Sequence, residues 1–327
     1  MKVHILDDWF NTLYKLPCYR ILNVQNVTIW TDHVGEDVLA KRLAEAEALV
    51  LFRERTTITR SLLERLPKLK LISQRSVYPH IDVEACTDQG VLLCSNMHAG
   101  TPSYAAAEHT LALILASYRQ IPQQVASIRS GQWQMGVGRT LRGRTLGLYG
   151  YGRIAKAVSS YAQAIGMNVQ WWSSDAGRAR ALADGVSVAE SREAFFATSD
   201  IVSVHVRLKP DTRGIITGDD LAAMSERSLF VNTSRAGLVA QGTLEAEVAR
   251  GRIYAAVDVF DTEPLTDPSH PLLTHENVLP TPHLGYVTED EFDLQFTDIF
   301  EQVVAYDRGE PIHMINPEVL SSARQKA

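Results

Sequence analysis

The sequence predicts an α/β protein in which helices cover parallel β-sheets and the chain forms two domains. Residues 144–260 alternate short apolar runs, rich in β-branched residues, with helix-like runs. The short runs are almost entirely apolar, as in strands that are buried on both faces of a parallel sheet. The chain has 327 residues, which is more than a single domain usually contains.

The middle of the chain carries the clearest alternation. Its strand-like runs are residues 144–150, 168–172, 186–189, 200–206, 228–234 and 253–260. Its helix-like runs are residues 153–167, 176–185, 191–199 and 238–251, and Gly251 ends the last of them. Strands that alternate with helices indicate parallel βαβ units.

The first part of the chain repeats this pattern more weakly. Strand-like runs at residues 3–6, 27–30, 48–52, 69–73 and 91–95 enclose helix-like runs at 36–46 and 59–67. We therefore expect a second, smaller α/β unit there.

Three further segments complete the predicted organisation. Residues 100–120 read as a helix that Thr101 caps and Pro102 opens. Residues 121–143, with Gly136 and Gly138, read as an irregular surface arm and a candidate oligomer contact, and residues 289–306 as a helix that returns to the first domain. The predicted domains are residues 1–99 plus 288–327, and residues 100–287.

Composition excludes several classes of function. Apolar residues make up 45% and charged residues 21% of the chain, and the net charge of −6 disfavours nucleic acid or an anionic membrane as the main partner. Three cysteines without metal-site spacing predict a reducing cytoplasm, no disulfide framework and no metal. The acidic start of the chain is unlike a signal peptide, and the longest apolar run, 111–116, is far shorter than the roughly 20 residues of a membrane span.

A glycine motif lies between the first strand and the first helix of the middle region. Gly150, Gly152 and Ala155 form GxGxxA. Gly150 would allow a tight turn, Gly152 would let backbone approach a pyrophosphate, and Ala155 would permit close helix–strand packing. The alternative is a glycine-rich turn without a ligand. The surrounding strand and helix favour dinucleotide binding at the helix N-terminus.

The end of the following strand bears on the choice of cofactor. A dinucleotide-binding unit usually has an acidic residue there to hold the adenosine ribose, but Ser173 occupies this position. Ser174 and an arginine, Arg178 or Arg180, could instead bind a 2′-phosphate. Alternatively the hydroxyls only cap the next helix, and Asp175 holds the ribose.

Four segments together resemble one family. LGLYGYGRIAKAV, SLFVNTSRAGLV, AAVDVFDTEP and LPTPHLGY occur in the order and spacing of the D-isomer-specific 2-hydroxyacid dehydrogenases, which include phosphoglycerate dehydrogenases and glyoxylate/hydroxypyruvate reductases. The resemblance covers nearly the whole chain. It implies two discontinuous α/β domains, a Rossmann dinucleotide-binding domain and a smaller flavodoxin-like substrate domain, with the active site in the cleft between them, and a homodimer.

The resemblance assigns the catalytic roles to three residues. Arg235, in NTSRAG, follows a strand and has a guanidinium that can bind a carboxylate through two hydrogen bonds. His283, in TPHLG, can donate a proton during reduction and accept one during oxidation. Glu263, in DTEP, resembles the glutamate that partners this histidine and stabilises its protonated form.

Further residues are implied as ligand contacts. The cofactor contacts implied by the resemblance are Gly150, Gly152, Arg153, Ile154, Ser173, Ser174, His205, Val206, Thr233, Ser234, Asp258 and Gly285, with Asp258 on the nicotinamide carboxamide. The substrate contacts are Arg53 and the backbone of Ser76 and Val77. Arg53 could meet a second anionic group of the substrate, or alternatively pair with neighbours of Glu54 at the surface.

The substrate loop departs from the family's glycine-rich pattern. Arg75 and Val77 stand at the usual glycine positions, and Tyr78 follows. The bulk of Arg75 and Tyr78 bears on the size and charge of any substrate.

These features predict an NAD(P)-dependent oxidoreductase. It would transfer a hydride between the cofactor and a small D-2-hydroxy or 2-oxo acid such as glyoxylate or hydroxypyruvate, and use NADP at least as well as NAD. One alternative is a phosphoglycerate-dehydrogenase-like enzyme, without the regulatory domain because little chain follows residue 306. An alternative of another class is a dinucleotide-sensing scaffold similar to the related corepressors.

Overall fold

The computed structural model of the protein describes residues 1–97 and 104–326. Its contacts divide the chain into two compact units, Met1–Pro102 with Thr288–Ala327, and Ser103–Val287. We call them the first unit and the second unit. The predicted domain boundary at residues 99 and 100, the cap at Thr101 and the helix start at Pro102 lie outside the described residues.

The first unit contains one parallel sheet within the described residues. Its strands are β1 (Lys2–Ile5), β2 (Asn26–Ile29), β3 (Ala48–Val50), β4 (Leu71–Arg75) and β5 (Leu92–Asn96). They are ordered β2-β1-β3-β4-β5 and all pair in parallel. This is the strand order of the flavodoxin-like fold, which the sequence analysis predicted.

Helices of the first unit cover this sheet. The α-helices are Glu36–Arg42, Arg60–Glu64, Val83–Asp88, Glu289–Asp307 and Ala323–Lys326, and the 3-10 helices are Leu13–Lys15, Pro17–Leu22 and Pro317–Ser321. The helix Glu289–Asp307 begins where the Thr288 side chain accepts a hydrogen bond from the N–H of Glu291. It packs on β4 and buries Phe296 against Phe52, with ring centroids 4.5 Å apart.

The second unit contains a larger parallel sheet. Its described strands are β6 (Thr145–Tyr149), β7 (Asn168–Trp172), β8 (Ile201–Val204), β9 (Leu229–Asn232), β10 (Tyr254–Val257) and β11 (Val278–Pro280). The order is β11-β10-β9-β8-β6-β7, with parallel pairing throughout. The direction of winding reverses between β6 and β8, which is where open α/β sheets bind ligands.

The helices of the second unit follow the predicted alternation. The α-helices are Ala105–Tyr118, Ile121–Arg129, Arg153–Ala164, Asp175–Ala183, Arg192–Thr198, Gly218–Ala223, Thr243–Ala249 and Pro271–Thr274, and the 3-10 helices are Pro210–Thr212 and Ala236–Leu238. Strands β8 and β9 are buried along their whole length, which agrees with their apolar sequences.

Three local predictions were wrong. Residues 186–189 form only a bridge from Val188 to Trp171 of β7, between Gly185 in a left-handed turn and the helix that follows. Residues 121–129 are a helix rather than an irregular arm, since Ile121, Val125 and Ile128 have helical spacing. The helix predicted from residue 238 begins at Thr243, after Gly242 with φ +73°.

Candidate active site

The glycine motif forms the turn from β6 into the helix Arg153–Ala164. Gly150 has φ +114°, and a Cβ there would lie 2.3 Å from the carbonyl oxygen of His205, so the position requires glycine. Gly152 is the N-cap of the helix, and no side chain caps it. A Cβ on Gly152 would meet nothing within 4 Å. This open space beside free helix N–H groups fits a dinucleotide pyrophosphate, with Arg153 and Ile154 in the first helical turn.

The end of β7 has features expected for binding a 2′-phosphate, as in NADP, and features expected for binding the ribose of NAD. The Ser174 hydroxyl accepts a hydrogen bond from the N–H of Gly177 at 3.3 Å and therefore caps the next helix. Arg178 donates to the Ser173 carbonyl at 2.6 Å, pairs with Asp175 at 2.5 Å and lies 4.3 Å from the Trp172 ring centroid. The guanidinium is therefore held beside Ser173, and the carboxylate of Asp175 is held by Arg178.

His205 and Val206 follow β8 and lie beside the glycine turn. The N–H of His205 donates to the Tyr149 carbonyl at 2.8 Å, which extends the β6–β8 pairing. Its Nε2 lies 2.9 Å from the Ser203 hydroxyl. Burial lowers the pKa of His205 to about 4, so the imidazole is neutral at physiological pH.

A compact turn after β9 carries Arg235. The side chain of Asn232 accepts from the N–H of Ser234 at 3.0 Å and donates to the Arg235 carbonyl at 2.9 Å. The Ser234 hydroxyl donates to the Val204 carbonyl at 2.7 Å, and the Thr233 hydroxyl lies 2.8 Å from that of Thr110. These bonds fix the backbone from which the guanidinium extends, and Arg235 donates to the Ser234 carbonyl at 2.7 Å.

His283 and Glu263 form a hydrogen-bonded pair. The Nδ1 of His283 lies 2.6 Å from Glu263 Oε2, while Oε1 accepts from the N–H of Phe260 at 2.9 Å. Burial by itself would raise the pKa of Glu263, but the bond to His283, the Phe260 N–H and the charge of Arg235 hold it below its usual value. The carboxylate is therefore ionised and accepts a hydrogen bond from the Nδ1–H of His283, so that Nε2 takes no part in this pair.

Asp258 follows β10 and is fully buried. Its carboxylate accepts from the Thr281 hydroxyl at 2.6 Å, from the N–H groups of Leu284 and Gly285 at 2.8 and 2.9 Å, and from His109 at 3.1 Å. Burial would raise the pKa of Asp258, but these bonds hold it below the usual value. Asp258 thus holds the loop that carries His283, and its predicted contact with the carboxamide stays a prediction. Sequence reasoning missed His109, because a lone histidine on an apolar helix carries no signal of its partner.

The predicted substrate residues belong to the first unit. Ser76 has φ +76°, and its N–H donates to the Asn96 carbonyl at 3.1 Å, so this N–H already has an acceptor. The role of Arg53 and Val77 as substrate contacts stays a prediction.

The bulky residues of the substrate loop have partners within the first unit. Arg75 is 10% exposed and pairs with Asp298 at 2.8 Å. Tyr78 packs against the hydrophobic core of the unit. The expectation that their size and charge bear on the substrate stays a prediction.

Within residues 1–97 and 104–326, no three His, Cys, Asp or Glu side chains are grouped as metal ligands would be. None of the helices described there is long and apolar enough to span a membrane.

Comparison with known proteins identifies relatives of the whole chain. A family model described as "D-isomer specific 2-hydroxyacid dehydrogenase, NAD binding domain" matches residues 111–285. A hydroxypyruvate reductase of Thermotoga maritima is 32% identical over 88% of this chain and 92% of its own length. A solved oxidoreductase structure from Ralstonia solanacearum has a TM-score of 0.93 and 44% identity over 98% of both chains.

A longer relative is also similar. A D-3-phosphoglycerate dehydrogenase of Methanocaldococcus jannaschii is 36% identical over 95% of this chain but only 58% of its own length. This chain therefore spans little more than half of that protein. Because the NAD-binding model covers more than half of the chain and the hydroxypyruvate reductase aligns over nearly its full length, the chain belongs to the D-isomer-specific 2-hydroxyacid dehydrogenase family.

Proposed function

We propose that the protein interconverts a small 2-oxo acid and the corresponding D-2-hydroxy acid with a nicotinamide cofactor. The observation that carries this proposal is the 2.6 Å hydrogen bond between His283 and Glu263, in the same unit as Arg235 and the open glycine turn. The reaction needs a cation for the substrate carboxylate and a proton donor for the carbonyl oxygen. Arg235 and His283 supply these two groups.

His283 exchanges the proton. In reduction, protonated His283 gives its Nε2 proton to the substrate carbonyl oxygen and keeps the Nδ1 proton hydrogen-bonded to Glu263. In oxidation, neutral Nε2 takes the proton of the hydroxyl group. Glu263 stabilises the charged imidazole and fixes the orientation of the ring.

Arg235 orients the substrate. Its planar guanidinium binds the carboxylate through two parallel hydrogen bonds, which sets the position of the adjacent carbonyl carbon. The Asn232 side chain holds the backbone on both sides of Arg235 and so keeps this orientation constant.

The second unit holds the cofactor at the C-terminal ends of β6 to β9. The N–H groups after Gly152 would bind the pyrophosphate, Ser173 and Ser174 lie at the ribose position, and His205, Val206, Thr233 and Ser234 follow β8 and β9. When bound, the nicotinamide supplies or accepts the hydride. The chain's own residues provide the binding, the orientation and the proton.

Regarding the cofactor, we propose that NADPH is used at least as well as NADH. A serine at position 173 does not repel a 2′-phosphate, and the guanidinium of Arg178 lies beside it. Ser173→Asp should then shift preference towards NADH, because like charges in contact cost several kcal/mol. Titration of both variants with both reduced cofactors tests this. A wild type that strongly prefers NADH would assign the ribose to Asp175 or the backbone instead.

For the substrate, we propose glyoxylate, hydroxypyruvate or an acid of similar size. The second candidate is 3-phosphoglycerate, which the name of the 36% identical relative favours. A panel of glyoxylate, hydroxypyruvate and pyruvate with NADH and NADPH, and of 3-phosphoglycerate with NAD and NADP, separates the candidates. Cofactor binding without turnover on the whole panel would favour the scaffold alternative.

His283→Ala tests the proposed catalytic role. Loss of the proton donor should lower turnover by about 10² to 10⁴ while cofactor affinity stays near that of the wild type. His275→Ala is the matched control, since His275 is a half-exposed histidine of the same unit outside the His283–Glu263 pair. Near-wild-type turnover of His283→Ala would contradict the assignment.

We further propose a homodimer in the cytoplasm. The three cysteines are free and buried, which suits a reducing compartment.

The dimer is supported by exposed apolar residues. Ile128, Trp133 and Val137 are 54, 73 and 85% exposed, and such apolar exposure is typical of an interface. Sedimentation equilibrium tests this: Ile128→Glu should yield monomers, whereas Leu182→Glu, at a residue 63% exposed elsewhere, should not. A monomeric wild type would contradict it.

A further inference from the structure

The loop from Thr281 to Gly285 carries His283 in an unusual backbone conformation. His283 has φ +55°, in the left-handed region that residues other than glycine rarely adopt. Such a conformation persists only where surrounding contacts hold it. Leu284 and Gly285 follow His283 directly. Their N–H groups donate hydrogen bonds to the Asp258 carboxylate at 2.8 and 2.9 Å.

The Asp258 carboxylate is itself held by two side chains. The Thr281 hydroxyl donates to Oδ1 at 2.6 Å, and Nε2 of His109 lies 3.1 Å from the same oxygen. Since an ionised carboxylate only accepts hydrogen bonds, His109 must donate from Nε2. His109 comes from the helix Ala105–Tyr118, and its side chain is 17% exposed.

Asp258 connects the helix Ala105–Tyr118, through His109, to the loop that carries His283. Asp258 is 0% exposed, so each donor removed from it leaves a buried charge less well compensated. The carboxylate can relieve that loss by moving towards other donors. Such a movement shifts the two N–H groups bonded to it and with them the backbone at His283.

We propose that His109 is a positioning residue, which acts through Asp258 to hold the loop 281–285 and thereby the His283 imidazole against Glu263. His109 contacts Asp258 rather than His283 or Glu263. Its effect on catalysis rests on the proposed function, whereas its effect on the loop does not.

Three variants test the proposal kinetically. His109→Phe keeps a ring of similar size but removes the donor, and His109→Gln restores an N–H donor. His275→Phe is the matched control in the same unit. We expect His109→Phe to lower kcat at least 10-fold, with KM for the 2-oxo acid within about 2-fold, because proton transfer is impaired and substrate binding is not. His109→Gln should recover most of kcat, and His275→Phe should match the wild type.

A second measurement does not depend on activity. Amide hydrogen exchange at Leu284 and Gly285 should be at least about 10-fold faster in His109→Phe and near normal in His109→Gln, with the strands of the sheet unchanged. If His109→Phe does not fold, Thr281→Val, which removes the other side-chain donor with little change in shape, should show the same local exchange.

The outcomes separate the two proposals. If the wild type reduces none of the panel acids, the proposed function fails, and the exchange experiment still tests the role of His109. If His109→Phe, or Thr281→Val in its place, keeps wild-type exchange at Leu284 and Gly285, the positioning role is overturned. Faster exchange throughout the sheet would also overturn it, because that result indicates general destabilisation.

Discussion

Substitution of the two motif glycines by alanine should affect the stability of the fold very differently. Gly152 has φ −119° and ψ −178°, an extended conformation that any residue adopts, and its Cβ would meet nothing within 4 Å. Alanine restricts the unfolded chain, which stabilises by about 0.4–1 kcal/mol, but it is a poorer N-cap than glycine, which costs a similar amount. We therefore expect the free energy of unfolding of Gly152→Ala to stay within about 1 kcal/mol of the wild type.

Gly150→Ala is expected to damage the fold. Its φ of +114° strains any residue with a Cβ, and the added carbon would lie 2.3 Å from the His205 carbonyl oxygen, at the end of the β6–β8 pairing. The strain and the clash together should cost at least about 3 kcal/mol.

Cofactor titration then separates binding from folding. In Gly152→Ala the methyl group occupies the space through which backbone would approach the pyrophosphate, so affinity for reduced cofactor should fall at least about 10-fold, or 1.4 kcal/mol. Gly35→Ala is the matched control, since Gly35 is also an extended N-cap glycine whose Cβ would meet nothing within 4 Å. Urea unfolding and fluorescence titration measure both quantities. Wild-type cofactor affinity in a folded Gly152→Ala would refute the assignment of the pyrophosphate to this turn.

Two further predictions concern Arg235 and His205. Arg235→Lys keeps the charge but loses the planar fork, so steady-state kinetics should show a higher KM together with a lower kcat, and unchanged kinetics would remove Arg235 from the site. The pKa of His205 is about 4 when folded, whereas an unfolded histidine titrates near 6.5. Between these values only the unfolded chain gains the proton, so stability should fall on acidification by at most about 3 kcal/mol. Urea unfolding at pH 7 and pH 4.5 should show this loss in the wild type and less of it in His205→Phe, and equal losses would contradict it.

The sequence by itself determined the α/β class and most of the elements, and its motifs singled out His283 and Glu263, which the structure joins by a hydrogen bond. Buried parallel strands are recognisable because they are short and apolar, and Gly150 is recognisable because only glycine tolerates its backbone conformation. The motifs around Arg235, Glu263 and His283 pointed to their chemistry because they resemble segments of the D-isomer-specific 2-hydroxyacid dehydrogenases.

Only the tertiary structure decided which charges meet. Arg75 reads as added bulk in the substrate loop, and the sequence does not show that it pairs with Asp298, more than 200 residues further along the chain. The segment 121–129 read as irregular together with the polar, aromatic and glycine-containing residues that follow it, whereas the structure forms a helix there whose residues Ile121, Val125 and Ile128 are exposed. His109 and Asp258 lie 149 residues apart, and no local pattern links a helix histidine to a distant carboxylate. A hydrogen bond depends on distances of about 3 Å between groups that the fold brings together, whereas sequence periodicity reports only which face of an element is buried.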